Sequence, residues 1–173
     1  MDKIIISAGL SFLITFFAIP IIIQIAKEKK LFDEPNQRKI HKIVIPTLGG
    51  LGIYAGFVIA MLIFVPFYSA SCFQYYIASS LVIFFLGLKD DILVLSPTKK
   101  FLGQVIAAWI IFRFGGVQLN NMHGLFGIYQ IPTGAATVLS IFTIVVITNS
   151  FNLIDGVDGL AAGVGFITSI SFG

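Results

Sequence analysis

Two adjacent carboxylates, Asp90 and Asp91, close a long apolar stretch and are followed within ten residues by Ser96-Pro97 and then Lys99 and Lys100. Carboxylate oxygens beside lysine ammonium groups are the pieces from which sites for Mg2+ and phosphate are built. The acids ligate a metal or take a proton, and lysine offsets phosphoryl charge as a point cation. A second set, running from Asn149 to Gly159, spaces Asn149, Asn152 and Asp155 three residues apart, with Asp158 beyond. A continuing helix would carry the first three on one face, although Gly156 and Gly159 loosen the backbone there. A third set, Ile45-Pro46-Thr47-Leu48-Gly49-Gly50-Leu51-Gly52, puts glycines where an apolar run begins. Close backbone approach at a helix N-terminus favours an anion or a sugar phosphate.

Each set has a plainer reading. Two acids against three lysines make a charge-balanced interfacial loop whose long side chains reach the boundary. Gly52 and Gly56 form a small-xxx-small pair that packs helices. His41 is a lone loop histidine, solvated or touching phosphate rather than catalytic. His123 is read as solvated or interfacial. The Asp-Gly-x-Asp-Gly run is no EF-hand, because the required further oxygen ligands and terminal glutamate do not follow.

The elements that position these residues are membrane helices. Of 173 residues, 57% are hydrophobic and 11% charged, about half the charged fraction of a soluble domain. The apolar blocks approach bilayer length, which predicts helices near Ile4 to Ala26, Leu48 to Phe67, Tyr75 to Leu88, Phe101 to Phe114 and Thr133 to Thr148. Pro20 is expected to kink the first, as membrane bundles tolerate. From Leu160 a further apolar run reaches Gly173, too short to cross about 30 Å at about 1.5 Å per residue. The fold class expected is therefore all-α, a polytopic transmembrane bundle of five complete helices plus the start of a sixth, with the chain cut inside it.

Net charge is +3, and nine of the eleven basic residues lie in two loops, around Lys27 to Lys42 and Lys89 to Lys100. Positive-inside bias puts both loops in the cytoplasm and the N-terminus outside. The three polar sets then share one side of the membrane. The segments Pro66 to Gln74 and Gly115 to Pro132, free of acids and lysine, fall outside, the second as a turn-rich loop. Nucleic acid is excluded as a partner, since these lysines flank apolar spans and no soluble recognition element accompanies them. The lone Cys72 forms no internal disulfide. A cation-coupled transporter, with Asp90, Asp91 and Asp155 as ion sites, is the competing function, but such sites lie near the midplane on broken helices.

Asp90-Asp91 with Leu95-Ser96-Pro97 and the lysines, Asn149-x-x-Asn152-x-x-Asp155-Gly156-x-Asp158-Gly159-Leu160-Ala161, and Pro46-Thr47-Leu48-Gly49-Gly50 together resemble the polyprenyl-phosphate N-acetylhexosamine-1-phosphate transferases. The resemblance covers residues 1–173 as the N-terminal part of one polytopic membrane transferase domain. It implies attack by an undecaprenyl phosphate oxygen on the β-phosphorus of a UDP-N-acetylhexosamine, releasing UMP. Mg2+, or Mn2+ in its place, would be the cofactor, and the product would open cell-envelope glycan synthesis such as that of lipopolysaccharide. Leu95-Ser96-Pro97 looks like the branch that uses UDP-N-acetylglucosamine.

The roles implied are Asp90 and Asp91 on the lipid phosphate and Lys100 on the diphosphate. Asn152 would ligate the metal and Asp158 would help read uracil. Thr47, Gly49, Gly50, His41 and Asn149 would bind substrate, and Asp155, an older choice of covalent nucleophile, ranks below direct attack. Polyprenyl phosphate, the UDP-sugar and the membrane are the implied partners, and a homodimer is compatible with them. The location implied is the bacterial inner membrane, with the site facing the cytoplasm. The family's C-terminal half supplies a further metal-binding aspartate and a histidine-rich loop, so the chain by itself is expected to be inactive.

Overall fold

The computed structural model describes residues 2–29, 32–33, 45–46, 48–66, 72–93, 95–157 and 159–172. Among the described residues there are six α-helices: α1 (Asp2–Glu28), α2 (Gly49–Phe64), α3 (Phe73–Ile92), α4 (Pro97–Arg113), α5 (Thr133–Ile154) and α6 (Leu160–Phe172). The fold is an all-α membrane bundle. Among the described residues, Phe32 opposite Pro46 and Asp33 opposite Ile45 form a two-residue antiparallel ladder. Helices α1 and α5 are long and apolar enough to cross a bilayer, whereas α2 and α6 are shorter apolar helices. Phe12, Phe16, Phe17 and Ile21 on α1 are all exposed. An apolar face of that extent needs hydrocarbon around it, because in water it would aggregate.

Helices α1 to α4 form one compact unit; the connection from Val117, α5 and α6 belong to a second. In the first, Gly52, Gly56 and Ala60 are the buried residues of α2, spaced by four so that one small-residue stripe faces α1. A Cβ at Gly52 would lie 3.1 Å from Ile22 Cδ1, and at Gly56 2.7 Å from the Ser11 carbonyl oxygen and 2.5 Å from Thr15 Oγ1. Lipid gives helices no hydrophobic drive to associate, so close backbone approach of this kind holds them together. Helix α3 joins α2 through Tyr54, whose ring stacks on Phe84 at 4.2 Å between centroids and whose hydroxyl meets Ser80 Oγ at 2.9 Å.

The α3–α4 pair is the frame of the cluster that holds Asp90 and Lys100. Buried Ser79 donates from Oγ to the Ala107 carbonyl at 2.9 Å, and Gly103 lets Leu86 sit where a Cβ would come within 2.8 Å of it. Tyr75 stacks on Phe114 at the far end. Small residues at 103, 107 and 108 thus bring the two helices close enough to fix their other ends against each other.

Helix ends differ from expectation in informative ways. Helix α3 runs to Ile92, so Asp90 and Asp91 lie in its last turn rather than beyond it. Helix α4 starts at Pro97, not near Phe101, and α5 reaches Ile154, not Thr148. Charged residues at a membrane boundary stop an apolar run without stopping a helix, since their backbone amides still find partners four residues back. Helix α1 continues through Pro20. The connection after Gly116 is no open loop: Asn121 pairs with Gln130 in an antiparallel bridge, and a short 3-10 turn covers Leu125–Gly127.

Gly56→Ala is expected to destabilise the bundle by about 1–3 kcal/mol through overpacking, whereas Gly49→Ala, which meets open space, should stay within about 0.5 kcal/mol. Thermal unfolding in detergent checks this, and equal losses at the two positions would be the wrong result.

Candidate active site

Asp90 is half-buried at the C-terminal end of α3 and uses its two oxygens differently. Oδ1 accepts a hydrogen bond from the Leu95 amide at 3.0 Å. Oδ2 pairs with Lys100 Nζ at 2.5 Å, the two side chains being 23% and 32% exposed. The turn between the helices follows from local sequence. Leu93 leaves the helix in extended conformation while its amide still bonds the Lys89 carbonyl, and Ser96 enters α4 extended with Pro97 behind it. Proline suits the first helical turn because its missing N–H has no partner to lose there. Lys100 then falls one turn into α4, its amide bonded to the Ser96 carbonyl, and reaches back to Asp90.

This pair is too exposed to matter much to folding, contributing about 0–1 kcal/mol. Its electrostatic setting is unusual in a second way. The first turn of α4 holds no acidic residue but carries Lys99 and Lys100, so like charge is placed on the positive end of a helix dipole. Asp90 balances one lysine, and an added phosphate would suit the remainder. Asp91 follows Asp90 by about 100° around the helix and is exposed.

A separate polar cluster, in the second unit, is the C-terminal end of α5. Asn149 and Asn152 stand in its last turns, and Asp155, the C-cap, keeps helical geometry with φ −66° and ψ −15°. Its amide bonds the Phe151 carbonyl at 3.1 Å. The helix therefore does continue far enough to carry all three residues at a spacing of three, and all three are exposed. No basic residue occupies this last turn. An acid on the negative end of the dipole calls for a cation, and amide and carboxylate oxygens are donors of the kind that Mg2+ prefers. The donor set fits the metal in kind. Gly159 turns the chain into α6 with φ +72°.

At the start of α2, Gly49 and Gly50 are exposed, and a Cβ on either would meet nothing within 4 Å among the described residues. Packing among the described residues thus explains Gly52 and Gly56 but not Gly49 and Gly50. Leu48 before them is left-handed, with φ 77°. Thr47, His41 and Asp158 lie outside the described residues.

Asp90 and Lys100 are brought into contact, a pairing that sequence reasoning assigned to two different phosphates. The Leu95 amide on Asp90 was not anticipated at all. Ser-Pro as a helix start was the available signal, since it puts Lys100 one turn in.

The model of glycosyl transferase family 4 matches residues 73–173, more than half of the chain and every described acid and amide of the two clusters. The chain belongs to glycosyl transferase family 4. Among curated relatives, it is 34% identical over 168 residues to the probable undecaprenyl-phosphate N-acetylglucosaminyl 1-phosphate transferase of Bacillus subtilis, covering 96% of this chain and 46% of that protein. It is 30% identical over 151 residues to the undecaprenyl-phosphate alpha-N-acetylglucosaminyl 1-phosphate transferase of Escherichia coli O157:H7, covering 87% and 41%. The decaprenyl-phosphate N-acetylglucosaminephosphotransferase of Mycobacterium leprae is 30% identical over 169 residues, with 92% and 42% covered. The chain spans less than half the length of these relatives. No solved structure matches it. Membership of a transferase family turns the balance against the transporter reading, and so does the placement of these family 4 acids at helix ends.

Proposed function

We propose that in the complete enzyme this chain takes part in transferring N-acetylglucosamine-1-phosphate from UDP-N-acetylglucosamine to undecaprenyl phosphate, with release of UMP, at the cytoplasmic face of the inner membrane. The observation that carries the reading is the Asp90–Lys100 pair on the positive end of α4, which with Lys99 in the same turn puts one carboxylate and two lysines where two phosphates could be held side by side.

The chemistry is a displacement at phosphorus. An oxygen of the lipid phosphate forms a bond to the β-phosphorus, and the bond from that phosphorus to the α-phosphate oxygen breaks, its electron pair leaving with UMP. The lipid phosphate is already anionic, so the protein's task is mainly positioning and charge compensation. Lys100 shifts from Asp90 toward the diphosphate as negative charge grows on the leaving UMP. Asp90, anchored by the Leu95 amide, orients the lipid phosphate and takes any proton it still carries, with Asp91 supporting it. Asn152, with Asn149 and Asp155 on the same face, would hold Mg2+, which supplies positive charge to the diphosphate when bound; Mn2+ would serve the same donors. The open start of α2 at Gly49 and Gly50, with Thr47 and His41 near it in sequence, would receive a phosphate or sugar, and Asp158 would read the uracil.

Because the chain spans under half of its relatives' length, residues 1–173 alone are expected to be inactive. In proteoliposomes supplied with UDP-N-acetylglucosamine, undecaprenyl phosphate and Mg2+, they should release no UMP. A chimaera that adds the remaining segment of the Bacillus subtilis relative should release it. UMP from residues 1–173 alone would refute the inactivity, and a folded chimaera that makes none would count against the reading.

A further inference from the structure

We infer that Gln104, on the buried face of α4 one turn beyond Lys100, is a substrate-contacting residue whose carboxamide donates to the phosphoryl oxygen that Lys100 engages. The inference rests on the phosphate-binding role proposed for Lys100 and extends the site by one neutral donor.

The starting point is a polar group without a partner. Three polar side chains are buried among the described residues: Ser79, Gln104 and Ser140. Ser79 donates to the Ala107 carbonyl, and Ser140 donates to the Ala136 carbonyl while accepting the Leu119 amide. Gln104 is 7% exposed, and its side chain makes no hydrogen bond among the described residues. Two N–H donors and a carbonyl acceptor are left idle. Burial of an unpaired amide costs stability, so nearly all buried amides have partners. Packing alone gives no reason for a glutamine at this position.

The amide is covered but not sealed. Among the described residues no side-chain nitrogen or oxygen is both closed off from solvent and unpaired. The carboxamide of Gln104 therefore borders a narrow opening, although the rest of the side chain is packed.

Helix geometry says what kind of ligand meets it there. Gln104 follows Lys100 by four residues, so the two stand one above the other on the same face of α4. Ala107, Ala108 and Phe112 are the other buried residues of that helix. Long helical side chains lean toward the helix N-terminus, and for Gln104 that is the turn holding Lys99 and Lys100. Asp90 closes the same corner from α3, with Oδ2 on Lys100 and Oδ1 on the Leu95 amide. The positive end of the α4 dipole, two lysines and an unused N–H donor together favour an anion rich in acceptor oxygens. An ionised phosphoryl group is such an anion. The carboxamide adds what lysine lacks, a directed hydrogen bond that brings no further charge.

Gln104→Met in the completed enzyme tests this, because methionine keeps the volume and removes the donors. Relative to the parent, kcat/KM should fall about 10–100-fold, the loss expected for one hydrogen bond to a charged group. The thermal unfolding midpoint should stay equal or rise, since no partner in the fold is lost. A rise in KM for UDP-N-acetylglucosamine assigns the contact to the diphosphate, and a rise for undecaprenyl phosphate assigns it to the lipid phosphate. Unchanged kcat/KM would overturn the inference. So would a lower midpoint, because the amide would then be serving the fold. Inorganic pyrophosphate titrated into both proteins separates this inference from the transferase reading. A parent that binds it about 10-fold more tightly than Gln104→Met yet releases no UMP keeps the contact and refutes the reading. Equal binding refutes the contact whether or not the parent turns over.

Discussion

Asp90→Asn in the completed enzyme lowers turnover by roughly 10²–10³-fold, the loss typical of removing one preorganised electrostatic contact at a reacting centre, while membrane insertion and helix content stay unchanged. The asparagine retains an oxygen at Oδ1, so the Leu95 amide keeps its acceptor and the turn into α4 is preserved. What disappears is the negative charge against Lys100. The stability at stake is about 0–1 kcal/mol for a pair this exposed, too little to unfold the bundle, so a large loss of turnover would be chemical in origin. Turnover equal to that of the parent would remove Asp90 from the site.

The second large effect concerns the metal. EDTA should abolish turnover of the completed enzyme and Mg2+ should restore it. Asn152→Ala should raise the Mg2+ concentration for half-maximal turnover by at least the 10–100-fold that even outer contacts of a metal site are worth. The reason lies in the end of α5. Asp155 adds negative charge to a helix terminus that is already negative, and that last turn provides no basic residue to offset it. A divalent ion relieves both. Asn152 is exposed and its loss leaves no cavity, so its stability cost should be within about 0.5 kcal/mol. An unchanged Mg2+ requirement in Asn152→Ala would shift the metal elsewhere.

The helices and the family were legible because both rest on local signals. Apolar runs located all six helices, and the spacing of Asn149, Asn152 and Asp155 was legible as one helix face, which α5 indeed extends to support. Helix ends were misread at Asp90 and Asp91 because hydropathy falls at the membrane boundary while backbone hydrogen bonding continues to Ile92. The Asp90–Lys100 contact lies beyond any periodicity, since it depends on how tightly Gly103 and Ala107 let α4 approach α3. Gly52 and Gly56 were legible as a packing pair from their spacing, whereas the space beside Gly49 and Gly50 among the described residues is read from the fold alone. The segment after Gly116 was read as an external loop from its glycines and asparagines. Its antiparallel pairing of Asn121 with Gln130 and its longer-range tie to Ser140 are contacts that turn residues do not announce.

The central claim is that family 4 chemistry here transfers a sugar together with its phosphate. UDP-N-acetylglucosamine labelled at the β-phosphorus decides it, with the completed enzyme, undecaprenyl phosphate and Mg2+ in proteoliposomes. The account predicts that the label moves into the lipid fraction while unlabelled UMP appears in equal amount. Label recovered in free UDP, with the sugar alone on the lipid, would contradict it.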